Sequence, residues 1–345
     1  QAENAVLAQR SSLLATEQQV LLEGVGAFVG VILQGELVRL NANNVQVLTR
    51  QLQATNERFR VGEITRTDVA QAESRLAGAQ ASLTQAEGNL QIARATYQRV
   101  IGELPGRLVN PQPLRVPVNS TVEAQRFAAT NNPTVVAQLF AAAAARDNID
   151  VQMAALLPQV SATATAFQQR DQIQPGIRQN GGQATLNLSV PIYQGGAEHS
   201  LVRQARQTAQ QQIAELDRRR RDAAQVAAES FERLRSARAA VVSVRAQVRA
   251  QEIALDGVQR EALVGSRTTL DVLNAEQELL TARQNLVAAL STEINASYTL
   301  AASIGRLTAQ DLALPVEIYD MTAYYNAVRF RWIGTGNFAE PVGLR

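Results

Sequence analysis

Val264-Gly265-Ser266-Arg267-Thr268-Thr269-Leu270-Asp271-Val272-Leu273-Asn274-Ala275-Glu276 stands inside a long polar stretch of helix-forming sequence. Nearly the same wording occurs at Val61-Gly62-Glu63-Ile64-Thr65-Arg66-Thr67-Asp68-Val69-Ala70-Gln71-Ala72-Glu73. In both, Asp-Val follows the Gly by six residues and Ala-Glu comes shortly after. Turn chemistry accounts for the parts: Gly takes the left-handed conformation that stops one helix, and Thr or Asp caps the next.

A shift of 203 residues relates the two phrases. It also superposes Phe28 on Phe231, Leu76 on Leu279, Leu83 on Leu286 and Ile101-Gly102 on Ile304-Gly305. One constant offset over that span marks two copies without net insertion. The copies differ in extent, because Gln1-Ala2 aligns with Gln204-Ala205 and residues 131–203 have no counterpart before residue 1. The chain is therefore expected to lack an N-terminal piece of about 70 residues. No signal peptide is read at Gln1, which opens directly into helix-like sequence.

Composition narrows the function classes. The 345 residues contain no Cys and one His, His199. Disulfides, thiolate metal sites, cysteine nucleophiles and two-His metal motifs are excluded, and no base is at hand for a Ser-His relay. The chain reads as a non-enzyme with no cofactor and no metal. A formal net charge of +2 is too small to argue for nucleic acid. Aromatics at 4% suit long thin helices better than a thick core. No window approaches 18 uninterrupted apolar residues, so no transmembrane helix is expected.

Seven-residue rhythms follow each phrase. Val69, Leu76, Leu83, Leu90 and Tyr97 form one column and Ala72, Ala79, Ala86 and Ala93 another. The second copy repeats them as Val272, Leu279 and Leu286 beside Ala275, Ala282 and Ala289. These are a and d positions of a coiled coil, and small Ala lets helices approach closely. Upstream, Ala197 to Ala262 has no Pro and one Gly, with Ala227, Leu234, Val241, Val248 and Leu255 stepping by seven. That helix would reach roughly 100 Å, with Gln1 to Phe59 its shorter partner. The Arg218–Arg221 run reads as a solvated helix face.

Between the copies, Pro158 to Phe167 and Ala184 to Val190 alternate small or apolar residues with polar ones, joined by a Gly/Asn/Gln-rich connector. This predicts a β-hairpin, either a soluble cap on a helix bundle or part of a membrane barrel. A lone hairpin is marginal and needs a partner. The aromatics Tyr319, Tyr324, Tyr325, Phe330 and Trp332 are expected to pack against the helices as a belt.

The order helix, hairpin, long helix, VG phrase, short helix, in duplicate, resembles the TolC-type outer-membrane channel family of Gram-negative bacteria. The resemblance is carried by Asn131-Asn132-Pro133, Leu157-Pro158, Val190-Pro191-Ile192-Tyr193-Gln194-Gly195-Gly196 and the two VG phrases, over nearly the whole chain. It implies a mainly α fold of long antiparallel coiled-coil hairpins forming a periplasmic tunnel. It further implies a homotrimer in which each subunit adds four strands to one 12-stranded outer-membrane barrel; this chain departs by having one hairpin. The implied organisation is a first-repeat helical hairpin over 1–102, an equatorial connector over 103–132 and a short helix over 133–157. A barrel hairpin over 158–190, a second helical hairpin over 191–305 and an equatorial tail over 306–345 complete it.

By the same resemblance the VG turns form the periplasmic tip. Asp68 and Arg267 match a pair that tethers the two hairpins, and Gln51 and Thr67 match further tip positions. Asp271 matches a carboxylate that rings the pore, while Asn274 replaces the next aspartate. Ala262 stands where some members have Tyr, and Gln259 where some have Glu. Val61-Gly62-Glu63 and Val264-Gly265-Ser266 match triplets that dock a periplasmic adaptor, with Glu63 replacing an apolar residue. The implied partners are that adaptor, an inner-membrane ABC exporter or pump, and outer-membrane lipid. The tail Tyr324-Tyr325 to Trp332-Ile333-Gly334-Thr335-Gly336 resembles type I secretion members, which favours protein secretion over multidrug efflux. The alternative is a periplasmic adaptor or coiled-coil scaffold; two hairpins at a constant offset count against it.

Overall fold

The structure is a computed structural model and describes residues 1–170, 176, 178–320 and 322–334. In chain order it contains helices α1 (Ala2–Arg60), α2 (Arg66–Ile101), α3 (Thr121–Asn131) and α4 (Pro133–Ala154). Strands β1 (Gln159–Arg170) and β2 (Arg178–Ser189) follow, then α5 (Ala197–Leu263), α6 (Thr269–Ser303) and the short α7 (Ala323–Val328). The chain divides into two compact units, one of Gln1–Ser12 with Thr134–Arg219 and one of Leu13–Pro133 with Arg220–Arg345.

In the larger unit the heptad columns become the core. Ala227, Leu234, Val241 and Val248 of α5 are buried, as are Ala72, Ala79 and Ala86 of α2. Helix α6 packs on two sides. Leu273 clusters with Leu48 of α1 and Ala79 of α2, whereas Leu279 and Ala282 cluster with Val248 of α5. Some buried polar side chains of α1 satisfy themselves locally: the Thr55 hydroxyl donates to the Gln51 carbonyl at 2.8 Å and the Asn41 amide to the Leu37 carbonyl at 2.7 Å. Such back-bonding to the preceding turn gives these two a partner, whereas Gln18 Nε2 and Gln34 Oε1 on the same helix are buried without one.

The expectation of no transmembrane helix stands beside one helix that passes a test of length and composition. An 18-residue window of α1 is apolar enough, by composition, to cross a membrane. Glu23 and several Gly interrupt it, so it escapes a search for an unbroken apolar run. The helix around it has 59 residues and about 90 Å of length, three times the roughly 30 Å of a hydrocarbon core. Ala27, Val29 and Val31 of α1 are buried in the unit's own core.

The connector is held to α6 and contains a helix that sequence reading missed. Ser297, fully buried on α6, accepts the Leu114 N–H at 2.9 Å and donates to the Ile294 carbonyl at 2.7 Å. Helix α3 starts where the Ser120 hydroxyl accepts the Glu123 N–H at 3.2 Å, an N-cap bond. At its other end the Asn132 amide donates to the Ser303 carbonyl at 2.9 Å. The backbone of Asn131 then comes so near Gly305 (φ 79°) that a Cβ there would lie 2.5 Å from its carbonyl oxygen.

The tail aromatics do not pack as a belt. Trp332 is 96% exposed and Phe330 76%. The Arg329 guanidinium lies 4.7 Å from the Phe330 ring centre and 5.6 Å from that of Tyr325. Thr335 and Gly336, part of the tail resemblance, lie outside the described residues.

In the smaller unit, the Gln138 amide on α4 donates to Gln212 Oε1 on α5 at 2.8 Å, and the Asn4 amide to Asp147 at 2.7 Å. Arg218 and Arg219 donate to Glu215 at 2.8 and 3.0 Å, holding its carboxyl down to about 2, on an exposed face as expected.

Both strands run 12 residues, longer than the alternating runs alone suggested. They pair antiparallel from Gln159↔Ser189 to Arg170↔Arg178, so β2 begins inside the Gly-rich connector. Gly181 is accommodated because Phe167, opposite it, covers the space a side chain would fill.

Candidate functional site

Two helix–helix turns of the larger unit carry the repeated phrase, and their backbones are alike. In the first, Gly62 (φ 80°) donates to the Phe59 carbonyl at 2.9 Å and Glu63 to the Arg58 carbonyl at 3.0 Å. In the second, Gly265 (φ 76°) donates to Ala262 at 3.1 Å and Ser266 to Glu261 at 3.0 Å. These paired bonds close a helix through a left-handed residue, which favours Gly.

Each following helix starts with a reciprocal cap. Asp68 Oδ2 accepts from the Thr65 N–H and hydroxyl at 2.9 and 2.7 Å, and the Asp68 N–H donates back to the Thr65 oxygen. Asp271 repeats this with Thr268, at 2.9 and 2.8 Å. The six-residue wait from Gly to Asp is thus two linking residues, a capping Thr and three helical positions. Bonds to the ionised form lower both carboxyls: the Thr65 hydroxyl first for Asp68, the Thr268 N–H first for Asp271.

The structure does not join Asp68 to Arg267. Asp68 is engaged by its own cap, and Arg267 Nε pairs with Glu261 Oε2 at 2.7 Å. Glu63 is clamped by Arg58 at 2.7 and 3.0 Å, which lowers its carboxyl. Gln51 offers its carbonyl to Thr55, Thr67 is exposed in the first turn of α2, and the Ser266 hydroxyl donates to the Glu261 carbonyl at 2.9 Å. Val61 and Val264 stand 78% and 80% exposed at the two turns, so each triplet presents one bare apolar side chain.

Asn274 does join the repeats, through a partner missed at the level of sequence. Arg75 Nη2 on α2 donates to Asn274 Oδ1 on α6 at 3.0 Å. Nothing in the repeat marks Arg75, since the offset places Glu278 opposite it. Glu276 was equally invisible as a site; it is buried on α6 with Oε2 unpaired.

In the smaller unit the hairpin register sorts its side chains by face. Val160↔Leu188, Ala162↔Leu186 and Ala164↔Ala184 lie on one face, and Ser161↔Asn187, Thr163↔Thr185 and Thr165↔Gln183 on the other. Among the described residues this sheet has two strands, so each strand leaves an edge unpaired. An apolar face, a polar face and two open edges are what one segment of a closed membrane barrel requires.

Comparison with known proteins agrees. The profile described as "Outer membrane efflux protein" matches residues 126–306. The chain is 36% identical over 335 residues to the outer membrane efflux protein BepC of Brucella suis biovar 1, covering 96% of this chain and 73% of that protein. The chain belongs to the outer membrane efflux protein family. Members of that family are TolC-type channels of the Gram-negative outer membrane that reach into the periplasm. Membership decides against the adaptor or scaffold reading.

Outer membrane protein TolC of Escherichia coli K12 is 26% identical over 317 residues, 86% of this chain and 64% of TolC. The proteases secretion protein PrtF of Dickeya chrysanthemi is 26% identical over 291 residues, 82% of this chain and 63% of PrtF. The chain thus spans somewhat under two thirds of those two relatives. In fold, a crystallised membrane protein from Pseudomonas aeruginosa superposes with a TM-score of 0.76 at 16% identity, over 88% of this chain and 69% of that one. The family contains proteins named for efflux and proteins named for secretion.

Proposed function

We propose that this chain belongs to one subunit of an outer-membrane exit duct, passive in itself and energised by an inner-membrane ABC exporter or pump through a periplasmic adaptor. The observation that carries the reading is the two-faced hairpin with both edges open. In a bilayer such edges must be closed by further strands, because unpaired backbone groups cannot be left in hydrocarbon. In the family arrangement three copies of the native protein supply them. The organisation read from the sequence, from the first helical hairpin over 1–102 to the tail over 306–345, belongs to this proposal.

The helix turns form its periplasmic tip. Asp271 would ring the pore with three carboxylates per trimer, favouring cations. Asp68 caps the helix after the first turn, and Thr67 and Gln51 are further tip positions. Asn274, held by Arg75, supplies the link between hairpins in place of Asp68 and Arg267. Val61-Gly62-Glu63 and Val264-Gly265-Ser266 are the docking triplets; their support is the exposed Val of each turn.

Type I protein secretion is the cargo class drawn from the tail, with PrtF as the supporting relative. The Brucella relative, named an efflux protein and more alike in sequence, favours a second reading, efflux of small compounds. Deletion of the gene with paired assays separates them: loss of one exported protein at unchanged drug tolerance supports secretion, and the reverse supports efflux. If the full-length protein in planar bilayers carries no current, the duct itself is refuted.

A further inference from the structure

Glu276 follows Asp271 by five residues on α6, about 7.5 Å along the helix axis. It is only 9% exposed, and its Oε2 has no hydrogen-bond partner. Beside it is a pocket of about 150 Å³ between α1, α5 and α6, open to solvent past the exposed Asn43 and Gln259. Leu40, Val47 and Leu255 supply apolar wall, and Asn43, Asn44 and Gln259 uncharged amides. The space is several times the roughly 30 Å³ that one water occupies, and its amides offer water the polar partners it needs.

Charged groups around the site are already engaged. Arg283 on α6 borders the pocket, but its Nη2 donates to Glu252 Oε1 on α5 at 2.7 Å. On α5, Asp256 pairs with Arg260 at 2.9 Å. On α2, Arg75 is held by Asn274, and Glu73 is exposed. Helix α1 brings Asn43 and Asn44 to the pocket, and the Asp271 carboxylate is taken up by its cap. A carboxylate with one oxygen buried away from any cation or donor is disfavoured, so the acid form suits this packing.

We propose that Glu276 is a proton-operated wedge in the tip: protonated, it lets α6 stay packed on α1 and α5, and ionised, it draws water from the neighbouring pocket in around its buried Oε2 and loosens α6. The inference rests on reading α5 and α6 as a hairpin that gates a duct. Burial raises the carboxyl above its usual range. The direction follows from that sign. The packed arrangement holds fully below the ordinary glutamate value and weakens as pH rises through the raised one. Acid therefore favours the closed packing and neutral pH its release. The counterpart in the first repeat, Glu73, is exposed and has no such role.

Hydrogen exchange of residues 272–283 in the full-length protein tests this without relying on conduction. After correction for the intrinsic pH dependence of exchange, wild-type protection should fall about tenfold or more between about pH 5 and pH 8, as ionisation of a buried carboxyl loosens its surroundings. Glu276→Gln, nearly isosteric, should flatten the response; Glu276→Leu should flatten it too, and Glu73→Gln should leave it intact. A wild-type response that is flat, or one that survives Glu276→Gln unchanged, overturns the proposal. In bilayers, wild-type open probability should be higher at pH 8 than at pH 5, and that difference should vanish in Glu276→Gln. Absence of current at every pH would sink the duct reading instead, while the exchange result would still decide the role of Glu276.

Discussion

Arg75 on α2 and Asn274 on α6 meet through a 3.0 Å hydrogen bond between residues 199 positions apart. It ties the two copies of the repeat together near their tips, where Asp68 and Arg267 are each occupied elsewhere. An exposed bond with one charged partner is worth at most about 1 kcal/mol net, roughly a fivefold bias between closed and open tips. Arg75→Ala and Asn274→Ala should each raise single-channel open probability by up to that factor, and the double variant should add little to either. Asn274→Asp, which converts the bond to an ion pair, should lower it. Additive effects in the double variant would show that the two side chains act separately.

The caps predict an acid limit to the order of both turns. Asp68 and Asp271 are held below the ordinary aspartate value of 3.8 by Thr65 and Thr268. With folded values depressed, their stabilisation is present above the unfolded value and is lost as pH falls through the folded one. Exchange of the first-turn amides of α2 and α6 should rise below about pH 4. Thr268→Ala should cost the α6 start about 1 kcal/mol at neutral pH. Unchanged first-turn exchange in Thr268→Ala would argue that tertiary packing alone holds that end.

Ser297→Ala removes the acceptor for the Leu114 N–H while leaving the helix itself intact. An orphaned buried donor costs about 1–3 kcal/mol. Thermal or denaturant unfolding should register that loss, and limited proteolysis should cut first in residues 103–118. A wild-type cleavage pattern would mean that the connector is held by other contacts.

Gly102 and Gly305 are equivalent in the repeat and both left-handed, at φ 95° and 79°. Substituting Ala strains either by about 1 kcal/mol. At Gly305 the new Cβ also meets the Asn131 carbonyl, whereas Gly102 faces open space. Gly305→Ala should therefore destabilise clearly more than Gly102→Ala, measured by denaturant midpoint. Equal losses would show that the Asn131-Asn132-Pro133 segment yields without penalty.

The helices were legible because their information is local. Gly62 with Thr65 and Asp68, and Gly265 with Thr268 and Asp271, write stop, cap and restart within seven residues. Ala197 to Ala262 announced α5 almost to the residue, since no Pro interrupts it. The hairpin was legible in its alternation but not in its length, because β2 extends through Gly181 only where Phe167 covers it. Helix α3 escaped notice because a single Ser cap before a short Ala-rich turn is a weak signal.

Residues 61–73 and 264–276 carry the same phrase, and sequence by itself determined that both end one helix and begin another. It also determined the duplication and the two-faced hairpin, from which the family could be named. Glu73 and Glu276 close that phrase in identical positions, yet one is exposed and the other buried. Only the tertiary structure decided this. Helix α6 is enclosed on two sides, by α5 at Leu279 and by α1 and α2 at Leu273, whereas the buried residues of α2 follow one Ala stripe. The same packing chose Arg75 for Asn274. Capping depends on neighbours a few bonds away, whereas burial depends on which helices arrive from elsewhere in the chain.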